Sequence, residues 1–142
     1  MRFELQKMNE IEQAEIGRQR YEEGRQALKL GDLPRAISLF KDAVKARPHF
    51  KTLELLGSAL LEQGEVTDAA IYLAASAAMN PKQSKARFLL AQAMLALGQT
   101  WKSDAVQQLQ ECLRLNPNYA NARLLLERLH SEDSSLAEDS ER

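Results

Sequence analysis

The sequence is poor in cysteine, aromatic residues and long apolar runs, and each shortage excludes a class of protein. Among its 142 residues is one cysteine, so neither an internal disulfide nor a CxxC pair of zinc ligands can form. The longest uninterrupted apolar run, 69–75, is far shorter than the ~18 residues that a membrane span needs. Charges at positions 4, 7 and 10 replace the apolar core of a secretory signal peptide. We therefore expect one globular domain in the cytoplasm, with no membrane association.

Positive and negative charges nearly balance over the whole chain but are unevenly placed. The formal net charge is −1, yet residues 131–142 hold five acidic residues against one arginine. The remaining residues are only mildly basic, and this positive charge is too small to bind the phosphates of a nucleic-acid backbone. We therefore expect no nucleic-acid partner. The stretch 130–142 also lacks apolar periodicity. It is predicted to be an acidic disordered tail, because it cannot bury enough apolar surface to offset the entropy of ordering.

Glycine, alanine and proline recur three times in the same order. The glycines are Gly31, Gly64 and Gly98, the alanines Ala36, Ala69 and Ala105, and the prolines Pro48, Pro81 and Pro117. Each proline follows its alanine by twelve residues. Since glycine typically ends a helix and proline stops the next, each unit is predicted to be two helices joined by a short turn.

The second helix of each unit carries the same apolar pattern. Its members are Ala36, Ile37, Phe40, Ala43 and Val44, then Ala69, Ala70, Leu73, Ser76 and Ala77, then Ala105, Val106, Leu109, Cys112 and Leu113. This spacing keeps one helical face inward. A single hairpin buries too little apolar surface to fold alone, so the units are expected to stack.

The pattern resembles the tetratricopeptide repeat family, whose repeats carry a small residue and a glycine in the first helix, then an alanine, a bulky apolar residue, a small residue and a proline. The resemblance covers residues 17–129, with repeats at 17–49, 50–83 and 84–119 and a capping helix at 120–129. It implies an all-α fold, a right-handed superhelical α-solenoid of stacked antiparallel helix hairpins. The tryptophan position of the family holds Arg20, Leu53 and Arg87.

Residues 1–16 form an N-terminal arm and the start of the first helix. Asn9 and Glu12 have the spacing of a capping box, which predicts that this helix begins near Glu10 and ends near Leu30. The apolar residues that precede it are Phe3, Leu5 and Met8. We expect them to cover the first repeat; the alternative is a dimerisation or docking element.

The resemblance also implies where a partner would bind, because the first helices of such repeats line the concave face. The corresponding side chains are Arg18, Tyr21, Arg25, Leu28, Lys51, Glu54, Ser58, Leu61, Lys85, Phe88, Gln92, Leu95, Asn121, Leu124 and Arg128. Five are basic and one is acidic. This composition predicts a groove for an extended or helical segment of a partner protein with acidic and apolar character. The alternative is an ordinary solvated face.

One subfamily, the co-chaperones that hold acidic C-terminal tails of heat-shock proteins, can be tested from the sequence. The positions that match its clamp are Tyr21, Arg25, Leu55, Lys85 and Leu89. Lys85 alone carries the residue that the clamp requires, so a firm grip on a terminal carboxylate is not expected.

No arrangement in the sequence indicates catalysis. His49 and His130 stand at distant points of the chain, and Cys112 occupies a small inward position expected to bury an inert thiol. HExxH, GxxxxGK[ST] and GxSxG motifs are absent. We expect no enzyme, no cofactor and no metal. Trp101 is expected to plug the gap between the helices of its repeat, or else to anchor a partner. The alternative to an adaptor is a module that self-associates through its arm or the ends of its stack, as a homo-oligomer.

Overall fold

The structure, a computed structural model, describes residues 1–141, and these form seven α-helices without a β-strand. In chain order the helices are α1 (Arg2–Lys29), α2 (Leu33–Ala46), α3 (Phe50–Glu62), α4 (Val66–Met79), α5 (Ser84–Leu97), α6 (Lys102–Leu115) and α7 (Ala120–Glu141). A short 3₁₀ turn, Gln99–Trp101, precedes α6. The fold class is the all-α solenoid of helical hairpins, which confirms the sequence prediction.

The chain divides into two compact units. The N-terminal unit, Met1–Pro81, contains the hairpins α1–α2 and α3–α4, with α2 also packed against α3. The C-terminal unit, which begins at Lys82, contains the hairpin α5–α6, and α7 packs on α6. Because each hairpin is joined by a short turn, its two helices run antiparallel.

Glycine ends the first helix of each hairpin, as predicted. The φ angle is 77° at Gly31, 85° at Gly64 and 131° at Gly98, in a region that residues with a Cβ rarely adopt. After Gly31 the chain re-enters a helix at once, because the Asp32 carboxylate accepts a hydrogen bond from the backbone N–H of Arg35 at 3.2 Å. The turn is therefore short enough to bring the two helices into contact.

Proline ends the second helix of each hairpin, also as predicted. Pro48, Pro81 and Pro117 each stand two residues beyond the last helical residue of α2, α4 and α6. The residue just before each of these prolines, Arg47 in the first case, has extended backbone, which is the conformation that a following proline favours.

The core of the N-terminal unit depends on small residues that face large ones. Phe40 and Leu73 are fully buried, and each lies directly against a glycine on the neighbouring helix, Gly24 and Gly57 respectively. The Ser76 hydroxyl, also buried, donates a hydrogen bond to the Phe50 carbonyl at 2.7 Å. Close approach of two helices at a small residue is thus the packing device of both hairpins.

The prediction for the start of the first helix is wrong. α1 begins at Arg2 rather than near Glu10, and Asn9 lies inside the helix rather than capping it. Residues 2–9 contain neither glycine nor proline, and extending a helix that is already packed costs little compared with nucleating one. The end, at Lys29, agrees with the prediction.

The prediction that the N-terminal arm covers the first repeat is also wrong. Met1, Phe3, Leu5, Met8 and Ile11 project from α1 with 61% or more of each side chain exposed. The arm is a continuation of α1 into solvent, so these apolar side chains are left largely uncovered.

The predicted disordered tail is wrong for residues 130–141, which continue α7 as helix. All of them are exposed, but the Ser134 hydroxyl donates to the His130 carbonyl at 3.1 Å, and Asp133 forms an ion pair with Lys102 of α6. Low apolar content does not prevent helix formation here, because extending a helix whose first turns are already packed costs little.

Candidate functional site

An open groove of about 650 Å³ lies in the N-terminal unit, between α1 and the start of α3. The junction between α2 and α3 closes one side. The lining residues are Ile11, Ala14, Glu15, Gly17, Arg18, Tyr21, Glu22, Arg47, His49, Lys51 and Thr52. The exposed lining surface is mostly apolar, and several charged groups stand around it.

The α1 wall is held close to the end of α2 by Gly17. A Cβ at that position would lie 3.2 Å from the Arg47 Cβ, which is tighter than ordinary contact, and 3.5 Å from the Ala43 carbonyl oxygen. Tyr21, one turn further along, is half-buried, with its ring centroid 6.2 Å from that of the core residue Phe40. The wall therefore presents an aromatic side chain that is fixed from behind by the core.

The α3 wall begins with a histidine cap. The His49 Nδ1 accepts a hydrogen bond from the backbone N–H of Lys51 at 3.1 Å, and the ring stacks on Phe50 with 4.5 Å between centroids. Because Nδ1 acts as the acceptor, the ring proton of neutral His49 sits on Nε2. Thr52, in the same turn, lines the groove although the residue is only 4% exposed.

Most charges around the groove already have an opposite partner. Arg18 forms an ion pair with Glu15, and the guanidinium lowers the pKa of the Glu15 carboxyl by hydrogen bonding and by its charge. The Lys51 Nζ lies 2.9 Å from Oε1 of Glu54, a carboxylate that is 1% exposed. Arg47 differs, since it makes no ion pair with any described residue.

Three of the predicted binding residues come together in this groove: Arg18, Tyr21 and Lys51. Arg25 stands beside it, with its guanidinium 5.8 Å from the centroid of the Tyr21 ring and 3.9 Å from the Glu22 carboxylate. Leu28, Ser58 and Leu61 are half-buried further along α1 and α3.

Two predicted binding residues do not present their side chains to a partner. Glu54 is buried under Lys51, because it faces the interior of the α3 hairpin. Phe88 is 9% exposed and packs against the Tyr119 ring, with 5.2 Å between centroids. Both lie on the helical face predicted to be open, yet neighbouring elements cover that face at these two positions and make them core residues.

The other predicted residues of the C-terminal unit remain accessible. Lys85, Gln92, Asn121, Leu124 and Arg128 are exposed, and Leu95 is half-buried. Leu124 is the large apolar side chain of this set that is most open, at 60% exposure.

Several lining residues are not among the predicted binding residues, chiefly Ile11, Arg47, His49 and Thr52. They lie outside the first-helix stripe, at the repeat junction and on the N-terminal extension. The junction does carry a signal, because a basic residue, a proline and a histidine precede the first turn of α3.

The side chains that could act as a nucleophile or as metal ligands are buried or far apart. Cys112 is fully buried, and desolvation raises the pKa of its thiol. Within residues 1–141 no three His, Cys, Asp or Glu side chains are grouped to hold a metal ion. None of the helices described combines the length and apolar character that crossing a bilayer requires.

Trp101 is 43% exposed, so it does not plug the gap between its helices as expected.

Comparisons with known proteins agree with this architecture. The family model described as tetratricopeptide repeat matches residues 21–84 and 55–100, together more than half of the chain. One similar solved structure is the first TPR of Spaghetti (RPAP3) bound to the HSP90 peptide SRMEEVD, with 20% identity, a TM-score of 0.79, and coverage of 85% of this chain and 95% of that one.

Two further structures show the same fold. The Arabidopsis OM64 TPR domain is 20% identical, with a TM-score of 0.78 over 84% of this chain and 98% of that one. MamA 41-end from Desulfovibrio magneticus RS-1 is 25% identical, with a TM-score of 0.76 over 88% of this chain and 70% of that one. Its helix hairpins, its recurring glycine, alanine and proline, and its match to the family model show that this chain belongs to the tetratricopeptide repeat family.

Proposed function

We propose that this protein is an adaptor that binds an extended or helical segment of a partner protein, with acidic and apolar side chains, in the groove of the N-terminal unit. The tetratricopeptide repeat fold is that of a protein–protein interaction module, and family members are generally adaptors rather than enzymes. The observation that carries the proposal is the groove itself, in which an accessible apolar floor adjoins an arginine without an acidic partner.

The apolar part of the groove supplies contact area. Ile11 is 63% exposed, and Tyr21 is half-buried with its ring fixed against the core. A side chain held in one orientation loses little conformational entropy on binding, and tyrosine is enriched among the residues that dominate interface energies. We therefore expect apolar side chains of the partner to cover Ile11 and Tyr21.

The charged part supplies selectivity. Arg18 and Lys51 are neutralised by Glu15 and Glu54, so Arg47 is the cation with unused hydrogen-bonding capacity. A guanidinium binds a carboxylate through two parallel N–H···O bonds, and it attracts acidic segments during encounter. The preference for an acidic partner should consequently weaken as salt is added.

The acidic partner that this groove favours differs from the peptide in one of the similar structures. That structure holds an HSP90 peptide, SRMEEVD, but its identity to this chain is only 20%. Here the clamp positions hold Tyr21, Arg25, Leu55, Lys85 and Leu89. Of these, Lys85 alone carries the residue that the co-chaperone clamp requires, so in this proposal the acid is contacted by Arg47 instead.

Selection from a displayed library of random twelve-residue peptides tests the proposal. The purified protein should enrich acidic peptides that also carry aliphatic or aromatic residues. Arg18→Gln/Arg47→Gln should lose most of this binding, whereas the control Lys41→Gln/Lys45→Gln, which removes two exposed charges from α2, should retain it. Enrichment of peptides without acidic residues, or equal binding by both double variants, would contradict the proposal.

Self-association is a second candidate function, favoured by the exposed apolar side chains of the N-terminal extension. Met1, Leu5 and Met8 follow one another at helical spacing and are 93%, 61% and 65% exposed. If they join two copies, sedimentation velocity should show a dimer that Leu5→Glu/Met8→Glu converts to a monomer. A wild-type monomer at all concentrations would exclude this function.

A further inference from the structure

We propose that the first turn of α3, with Arg47 beside it, is an oxyanion subsite that receives a carboxylate or phosphoryl group of the bound segment. The inference rests on the proposed function and locates the acid-binding part of the groove. Three features meet at this point: the start of a helix, the hydroxyl of a threonine that lines the groove, and a guanidinium without a counter-ion.

The first feature is the N-terminus of α3, a helix of 13 residues. Lys51 and Thr52, in its first turn, line the groove wall, so the positive end of the helix dipole lies beside the groove. The Lys51 N–H is taken by His49 Nδ1 and the Leu53 N–H by the His49 carbonyl. The dipole remains, and the cap orients the imidazole so that Nε2–H is a further donor.

The second feature is the Thr52 hydroxyl. Thr52 is 4% exposed, it lines the groove, and it forms no side-chain hydrogen bond with any residue from 1 to 141. The hydroxyl oxygen is not among the fully buried atoms without a partner, so it is accessible although the rest of the residue is covered. A hydroxyl of a groove-lining residue that has no protein partner is thus available to donate to a bound group.

The third feature is Arg47, which follows the last residue of α2. Its backbone is extended, its N–H is bonded to the Ala43 carbonyl at 2.9 Å, and its Cβ is held against Gly17 of α1. The side chain consequently starts from a fixed point on the groove wall. A guanidinium matches both carboxylate and phosphate oxygens in a two-pronged geometry.

The acidic side chains near the groove do not neutralise the positive charge of Arg47. Glu15 is paired with Arg18, and Glu22 lies 3.9 Å from Arg25. Glu54, under Lys51, is likewise paired. Each carboxylate around the groove therefore has its own cation, and the charge of Arg47 is left over for a ligand.

The first test uses ¹⁵N-labelled full-length protein and inorganic phosphate or acetate as probes. Phosphate should shift the backbone amide signals of residues 49–53 along a saturable curve, and acetate should do so more weakly. Thr52→Val, which keeps the volume and removes the hydroxyl, and Arg47→Gln should each weaken phosphate binding about tenfold. The matched controls, Thr67→Val in the first turn of α4 and Arg35→Gln on α2, should leave it unchanged.

Absence of saturation, or equal losses in the controls, would overturn the subsite. A second arm compares a library-selected peptide with versions that carry alanine or phosphoserine in place of its key acid. The alanine version should lose affinity for wild type but not for Arg47→Gln, and the phosphoserine version shows which oxyanion is preferred. Unchanged peptide affinity in Thr52→Val and Arg47→Gln would overturn the subsite alone, whereas phosphate binding without any peptide binding would overturn the proposed function.

Discussion

Replacing Gly24 by alanine tests the packing of the first hairpin. A Cβ at this position would lie 2.6 Å from Cε1, 2.8 Å from Cδ1 and 3.0 Å from Cζ of Phe40, which is fully buried. Carbon atoms in ordinary contact are about 3.5–4.0 Å apart, so the ring or α1 has to move by about 1 Å. The ring is fully buried, so it cannot move aside into solvent.

Two opposing effects set the size of the change. Overpacking of this kind costs about 1–3 kcal/mol, and alanine gains about 0.5–1 kcal/mol over glycine inside a helix. We expect the free energy of unfolding to fall by about 0.5–2 kcal/mol, which lowers the melting temperature by roughly 2–6 °C for a domain of this size. Gly17→Ala is the matched control on α1. Its Cβ would lie 3.2 Å from the Arg47 Cβ, so a shift of a few tenths of an ångström relieves the contact.

Urea denaturation followed by circular dichroism at 222 nm measures both variants, and a double-mutant cycle with Phe40→Leu isolates the contact. Leucine lacks the ring atoms nearest to the new Cβ. Gly24→Ala should therefore cost less in the Phe40→Leu background than in wild type. Equal costs in both backgrounds, or a loss in Gly17→Ala as large as in Gly24→Ala, would refute the assignment of the effect to this contact.

Three further predictions concern single side chains. Arg87→Leu should raise the free energy of unfolding by about 1 kcal/mol in thermal or urea denaturation, because Arg87 Nε is buried without a hydrogen-bond partner and the equivalent position of the second repeat holds the buried Leu53. The hydrogen bond that Arg87 Nη1 donates to Gln108 at 3.1 Å is lost as well, but Gln108 is only half-buried and can bond to water instead. Burial raises the pKa of the Cys112 thiol. The stability that the buried neutral thiol contributes is therefore complete below the ordinary thiol pKa and is lost as pH rises through the raised pKa. The difference in unfolding free energy between wild type and Cys112→Ala should consequently shrink from pH 7 to pH 10. Trp101, 43% exposed, should be quenched by acrylamide in the folded protein, and a blue-shifted, protected emission would contradict its position.

The fold was predictable because its signals are local and repeated. A glycine at positive φ, as at Gly31, and a proline two residues after the second helix, as at Pro48, mark helix ends through backbone sterics alone. The buried stripe that includes Phe40 and Cys112 follows from helical periodicity. These features act within a few residues, so the sequence reveals them directly.

The groove was only partly predictable because it depends on which elements meet. Arg18 and Tyr21 lie on the expected face of α1, but Arg47 enters the groove from the end of another helix. Glu54 shows the converse, since a charged residue on the expected face is buried beside its counter-ion. Helix length was misjudged at the N-terminus for a related reason: a pattern such as Asn9 to Glu12 can occur within a helix as well as at its start.

The pairing of Lys51 with Glu54 limits how this groove can be redesigned. A substitution at Lys51 would remove an ion-pair partner from a carboxylate that is only 1% exposed, and weakening the compensation of a buried charge is destabilising. A change meant to alter ligand choice there would be read out as loss of folded protein. Mutational drift toward new ligands is therefore expected to pass through Arg47 and Arg18, whose replacement strands no buried acid, while Lys51 and Glu54 change together or stay fixed.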